Sequence, residues 1–380
     1  MNWYIRIKKK INKKNLRTRI AKKNSNSRFI QIMNKKYINF SSNDYLGLSH
    51  EKKIIKAWKK GAEIYGIGSG GSNYINGYSI EHKLFEEELA KWLNYKKTIL
   101  FTSGYAANQA VITSLIQKKD IIIADRLSHA SIIDAAINSK GKLYRFKHNE
   151  IKNLKKLLSS NYKNKMLIIT EGVFSMDGDT PKLKIYHKLT KEKNALLMVD
   201  DAHGIGINGL QGRGTCWKKN IKPEILIITF GKAFGISGAA VLCDQDIGEY
   251  LEQFSKNFIY STTIPTAQIY ALRMSLKCIK KGGDLRKKLK KNIKKFNKLN
   301  KYLPYIPKKS KNHIQPIILK DNNKVINLTN KLRKYGYWVH GINTPTVPHN
   351  TARIRITINT EHKKQDIKNI SEIIYEFQNI

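Results

Sequence analysis

The sequence predicts an α/β protein: a large, mostly parallel sheet domain, a smaller C-terminal α+β domain and an N-terminal helical segment. Three observations carry this. Short continuous apolar runs, such as Ile121–Ala124, alternate with segments of helical period through the middle of the chain, the pattern of strands buried on both faces. After the basic stretch Leu285–Leu303 the pattern shifts to shorter, mixed strand and helix segments. No internal repeat is visible, which excludes solenoids and propellers. With 41% hydrophobic residues among 380, the chain can bury a sizeable core and is not disordered.

Taken in order, Ile5–Ile20 reads as a surface helix and Phe29–Ile32 as a strand. Leu84–Leu93 has Leu84, Leu89, Trp92 and Leu93 at helical spacing. Strands are expected at Thr98–Thr102, Ile121–Ala124, Met166–Thr170, Ala195–Val199 and Ile225–Phe230, and helices at Ala106–Ile116 and Leu183–Lys191. The basic helix Leu285–Leu303 leads into Ile314–Leu319, Val325–Tyr335, Tyr337–His340, Ala352–Thr357 and Gln365–Phe377. We divide the chain into an N-terminal segment (1–44), a large domain (45–285) and a small domain (286–380).

The balance of 71 Lys and Arg against 28 Asp and Glu is +43. That invites a nucleic-acid role. However, only 12 of the basic residues are Arg and 59 are Lys, dispersed among many Asn and Ile. Base readers lean on Arg for bidentate contacts. A compositional drift toward Lys accounts for the charge, and no specific nucleic-acid partner is expected. Weak binding of polyanions at low salt is expected regardless. Residues 1–43 hold 9 Lys, 4 Arg and no acid, but little Ser before position 25 and no apolar core, so a targeting segment is not expected. Cys216, Cys243 and Cys278 lie far apart, which suits reduced thiols and a cytoplasmic location. No apolar run is long enough for a membrane span.

The chemistry-bearing residues cluster where the central strands end. Met166–Thr170 runs into Glu171 and on to Ser175, Ala195–Val199 into Asp200-Asp201-Ala202-His203, and Ile225–Ile228 into Thr229-Phe230-Gly231-Lys232. In open α/β sheets, ligands sit beyond the carboxyl ends of strands. Ser103-Gly104-Tyr105 opens a helix whose amides can hold a phosphate. His129 follows another strand. The segment Gly66–Ser72 lacks the form of a nucleotide-binding loop, and His129 and His203 have neither helical metal-ligand spacing nor cysteine partners, so no metal is expected. Lys232 differs from the other lysines: Gly231 and Gly235 should allow close backbone approach, and Phe230 and Phe234 should form apolar walls. An amine held there, near positive groups, has a lowered pKa and attacks aldehydes.

These residues resemble the fold-type I pyridoxal-phosphate enzymes, specifically the α-oxoamine synthases. The resemblance rests on Phe40–Leu48, Gly66–Ser72, Thr170–Asp179, Met198–Gly204, Gln211–Gly214, Thr229–Gly235 and Pro345–Pro348, and covers nearly the whole chain. It implies pyridoxal 5'-phosphate, with Lys232 as the Schiff-base lysine and Asp200 paired with the ring nitrogen. It implies Ser175 and His203 near the ring hydroxyl, His129 stacked on the ring, and Gly104, Tyr105 and Thr229 at the phosphate. Thr262 resembles a phosphate contact given by the second subunit of a homodimer with shared active sites. Arg17, Thr346 and Arg355 match substrate-side positions, Arg355 for the amino-acid carboxylate, and His129 could also polarise the thioester carbonyl.

The implied reaction is the decarboxylative condensation of L-alanine with a pimeloyl thioester, of coenzyme A or acyl carrier protein, in biotin biosynthesis. Rivals within the family are glycine C-acetyltransferase, 5-aminolevulinate synthase and serine palmitoyltransferase, which keep the mechanism and change the substrates. A rival of another class, a basic RNA-binding protein, predicts tight polynucleotide binding and no cofactor absorbance. Departures from the family pattern are Asn343-Thr344 where Arg-Pro is common, Tyr105 for Phe, Tyr74 for His and Ala233 for Gly. The last would cost about 1 kcal/mol if the position needed positive φ.

Overall fold

The computed structural model describes residues 2–11, 19–160, 164–304, 310–344 and 346–378. In chain order the strands are β1 (Asn24–Ser25), β2 (Phe29–Ile32), β3 (Lys35–Asn39), β4 (Lys97–Phe101), β5 (Ile121–Asp125), β6 (Lys142–Phe146), β7 (Met166–Glu171), β8 (Leu196–Asp200), β9 (Ile225–Thr229), β10 (Ala239–Cys243), β11 (Ile314–Lys320), β12 (Tyr337–Trp338), β13 (His340–Ile342) and β14 (Ala352–Thr357). One sheet has the order β4-β10-β9-β8-β7-β5-β6. Neighbours from β6 through β5, β7 and β8 to β9 are parallel. β10 runs antiparallel to both β4 and β9.

Successive side chains of a strand face opposite sides of its sheet, and here both sides are buried. Ile121 and Ile123 of β5 join Ile168, Val199 and Ile228 in one core cluster. Ile122 and Ala124 join Ile169, Met198 and Ile227 in the other. Strands buried on both faces must be apolar at every position, so they appear in the sequence as unbroken runs. Each such Ile contributes roughly 1.5–3 kcal/mol by burial. Helices Ala130–Asn138, Ile151–Ser159 and Leu183–Glu192 connect the parallel strands.

Strand β6 was not expected: it reads Lys-Leu-Tyr-Arg-Phe, because an edge strand needs no continuous apolar run. Tyr337–His340, expected as one strand, divides between two sheets. β12 pairs parallel with β3, Tyr337 opposite Ile38, while β13 pairs with β14, His340 opposite Arg355. Val339 between them is fully buried. The N-terminal strands therefore share a sheet with residues near the C-terminal end. The first helix spans Trp3–Ile11, and the continuation expected toward Ile20 lies in part outside the described residues. No helix among the described residues is long and apolar enough to cross a membrane.

Candidate active site

Strands β7, β8 and β9 end at Glu171, Asp200 and Thr229, and a cleft of about 690 Å³ opens there. Gly104, Tyr105, His129, Ser175, Asp200, His203, Thr229, Lys232 and Arg355 all line it. Asp200 is buried at its base, with both oxygens engaged. Oδ1 accepts from the Ala202 amide at 3.0 Å and Oδ2 from Asn108 Nδ2 at 2.9 Å. The same amide nitrogen donates to Ser131 Oγ at 2.9 Å, and that hydroxyl meets His129 Nδ1 at 2.8 Å. A hydrogen-bonded chain thus runs from Asp200 to His129. His129 caps helix Ala130–Asn138, its Nδ1 accepting from the Ser131 amide at 3.2 Å. With Nδ1 as acceptor, Nε2 is the ring nitrogen left to donate.

Lys232 Nζ lies 3.4 Å from Thr229 Oγ1. Burial lowers the Lys232 pKa, and Arg355 lowers it further, while the acidic side chains of Asp200 and Glu171 act in the opposite direction. Gly235 ends the turn at φ +73°, where an added Cβ would lie 2.4 Å from the Ser49 amide nitrogen. That meets the expectation of close backbone approach. Gly231 does not: its Cβ would have only an ordinary contact at 3.6 Å, and the residue leaves cleft space open instead. Phe230 and Phe234 are not cleft walls. Both are fully buried beneath the turn, with ring centroids 5.0 Å apart, and pack into the core cluster on one side of the sheet. Ala233 is fully buried without positive φ, so the cost anticipated for a lost glycine does not arise.

His203 Nδ1 is 2.7 Å from the Tyr45 hydroxyl. Burial, reinforced by Lys232 and Arg355, holds the imidazole well below its usual pKa, so it is neutral near pH 7. Burial pushes the Tyr45 phenol up to about 12. Arg355 reaches from β14, donating from Nε to the Ser175 carbonyl at 2.6 Å and from Nη2 to Asn43 Oδ1 at 3.1 Å. At the other end, Gly104 and Tyr105 begin a helix capped by Ser103, whose Oγ accepts from the Ala106 amide at 3.1 Å. A Cβ at Gly104 would come within 2.7 Å of Thr229 Cγ2. Free amides of a helix start thus face a threonine beside an open cleft, which suits an anion. An amine, a held carboxylate, a neutral imidazole and an anion cradle together match the functional groups of pyridoxal phosphate.

Two expected positions among the described residues, Thr262 and Thr346, do not line this cleft. Thr262 is exposed and bridged to Ser72. Thr346 is exposed, its amide donating to the Asn343 carbonyl at 3.0 Å. Arg17 and Pro345 lie outside the described residues. Sequence reasoning missed Asn108, Ser131 and Glu171 as site residues. Asn108 had a signal, a polar residue on an otherwise apolar helix face beside Ala107, Ala110 and Val111.

The family model for aminotransferases of class I and II matches residues 35–374. An 8-amino-7-oxononanoate synthase from Buchnera aphidicola subsp. Baizongia pistaciae (strain Bp) is 52% identical over 381 residues, covering 99% of each chain. The chain belongs to the 8-amino-7-oxononanoate synthase group of the class I and II aminotransferase family. Among solved structures, the 8-amino-7-oxononanoate synthase from Francisella tularensis is 34% identical, with a TM-score of 0.79 over 90% of this chain and 99% of that one. A serine palmitoyltransferase solved with its PLP internal aldimine is 25% identical, with a TM-score of 0.91 over 99% of this chain and 96% of that one. The family's architecture is therefore shared more widely than its sequence, and the sequence sides with the 8-amino-7-oxononanoate synthases.

Proposed function

We propose that the chain catalyses the decarboxylative condensation of L-alanine with a pimeloyl thioester, giving 8-amino-7-oxononanoate, carbon dioxide and free carrier thiol in cytoplasmic biotin biosynthesis. The observation that carries this is the meeting of Lys232, Asp200, His203, His129 and Arg355 in one cleft, in a chain 52% identical to a named synthase. Pyridoxal phosphate is the cofactor; bound, it supplies an aldehyde for amines and a ring that takes up the electron pair left at the substrate Cα.

The chain's own groups do the rest. Lys232, its pKa lowered by burial, would present its Nζ to the cofactor's aldehyde and is the amine placed to accept a proton from the bound amino acid. Asp200 keeps acceptor capacity for a protonated ring nitrogen, a task for a charged carboxylate rather than an amide. Neutral His203 and Ser175, both lining the cleft, would serve the ring hydroxyl. The Gly104 and Tyr105 amides and the Thr229 hydroxyl would hold its phosphate. Arg355 binds the amino-acid carboxylate, and His129 Nε2–H polarises the thioester carbonyl.

Thr262 serves the partner subunit of a homodimer, and Arg17 and Thr346 serve the acyl substrate. Ile67, Ile75 and Tyr260, at 86%, 80% and 78% exposure, flank the Ser72–Thr262 bridge and supply an apolar face for a second copy. Coenzyme A and acyl carrier protein both remain candidate carriers, and the basic surface favours an acidic one.

The test is an absorbance titration with pyridoxal phosphate, then turnover of alanine, glycine and serine with both pimeloyl thioesters. The bound cofactor should absorb near ~420 nm, alanine should perturb the band, and alanine should be preferred. Lys232→Ala should lose the band and at least ~10³-fold in turnover. Full turnover by that variant overturns the reading, and a preference for glycine or serine moves it to a rival within the family.

A further inference from the structure

Glu171 has no part in the chemistry above, yet it lines the cleft and is 3% exposed. It closes β7 and stands in register with Asp200, the last residue of the neighbouring parallel strand. Side chains in register on adjacent parallel strands share one face of the sheet. Two buried acidic side chains so placed disfavour a second ionisation. Asp200 holds two donors, a side-chain amide and a backbone amide. Glu171 has one, the His129 backbone amide, 2.7 Å from its Oε1. His129 is the residue whose ring borders the cleft at the start of helix Ala130–Asn138. The Glu171 side chain therefore ties the end of β7 to the residue that caps that helix.

We propose that Glu171 is a further positioning residue of this site: an uncharged carboxyl group, in register with Asp200, that seats His129 at the cleft wall. The inference rests on the reading of the cleft given above. The groups acting on Glu171 agree with it. Burial pushes its pKa well above the carboxylate range, Asp200 and Asp125 push the same way, and the His129 amide and Lys232 oppose. A neutral Glu171 adds no anion beside Lys232.

The experiment compares the full-length wild type, Glu171→Gln and Glu171→Ala, with and without pyridoxal phosphate. Infrared difference spectra at pH 7 should show a protonated-carboxyl C=O band in the wild type that is lost in Glu171→Gln. Glu171→Ala should lower kcat about 10-fold, the scale of a lost orienting contact. Glu171→Gln keeps an acceptor for His129 and should recover to within about 3-fold. It should also leave the pH dependence of the cofactor's visible band unmoved. A purely structural Glu171 would lower the melting temperature without this split between the variants. Loss of a carboxylate signal in place of the protonated band overturns the proposal, as does a Gln variant as impaired as the Ala variant. Should Glu171→Ala not fold, the wild type and the Gln variant decide by the infrared band alone. That band needs neither cofactor nor turnover, so failure of the synthase reading and failure of this inference are told apart.

Discussion

Asn108 is the residue on which two functional groups depend. Its buried amide nitrogen reaches both Asp200 Oδ2 and Ser131 Oγ, each at 2.9 Å. Asn108→Ala strips a donor from a buried carboxylate, which costs about 1–3 kcal/mol. We expect that loss in urea denaturation, together with a roughly 10-fold fall in kcat and weaker retention of pyridoxal phosphate in dialysis. A variant with unchanged cofactor retention would show that Asp200 needs no such support. Lys232, Asp200, His203 and His129 were legible as single residues because each follows closely on a short apolar strand run, with turn glycines beside all but His129. Asn108 was not, because its partner lies 92 residues away. Arg355 was read as a free carboxylate clamp. In the fold it also binds the Ser175 carbonyl and Asn43, 180 and 312 residues away.

At the scale of elements, the segment after β7 must be held against the sheet to keep Ser175 at the cleft. Two clamps do this. Arg353 Nη1 on β14 pairs with Asp177 Oδ1 at 2.7 Å, its side chain only 4% exposed. Arg353→Ala should lower stability by about 3 kcal/mol by leaving Asp177 without its cation, measured as a drop in the denaturation midpoint. An unchanged midpoint would mean that the pair contributes nothing net.

The second clamp is His148, placed between Asp125 at 2.9 Å and Asp179 at 3.0 Å. Burial opposes its charge, but hydrogen bonds to the two carboxylates outweigh that and raise its pKa to about 10. Its folded value therefore lies above the unfolded one, near 6.5. The stabilisation is complete below that lower value and is lost as pH rises toward about 10. The stability difference between wild type and His148→Gln should shrink over that window in denaturation series, and a difference that grows with pH would refute the sign. Neither clamp was visible beforehand, since each joins segments from separate sheets or separate strands.

For the molecule as a whole, a net charge of +43 means self-repulsion that only solvent ions relieve. The melting temperature should rise as salt is added from low ionic strength, while adventitious polyanion binding falls. A melting temperature that falls with salt would mean that attractive ion pairs outweigh the repulsion. The same charge left the fold readable, because lysines collect on the surface and leave the apolar period of the core intact. By itself, the sequence determined the mostly parallel sheet, five of its seven strands and the chemical groups at their ends. All of these are encoded locally, in runs of apolar residues and the turns that stop them. Only the tertiary structure decided how Tyr337–Ile342 divides between two sheets, which polar partners hold Asp200 and Arg355, and that Phe230 and Phe234 are core rather than cleft. Those depend on distances between segments far apart in the chain, which arise only when the sheets pack.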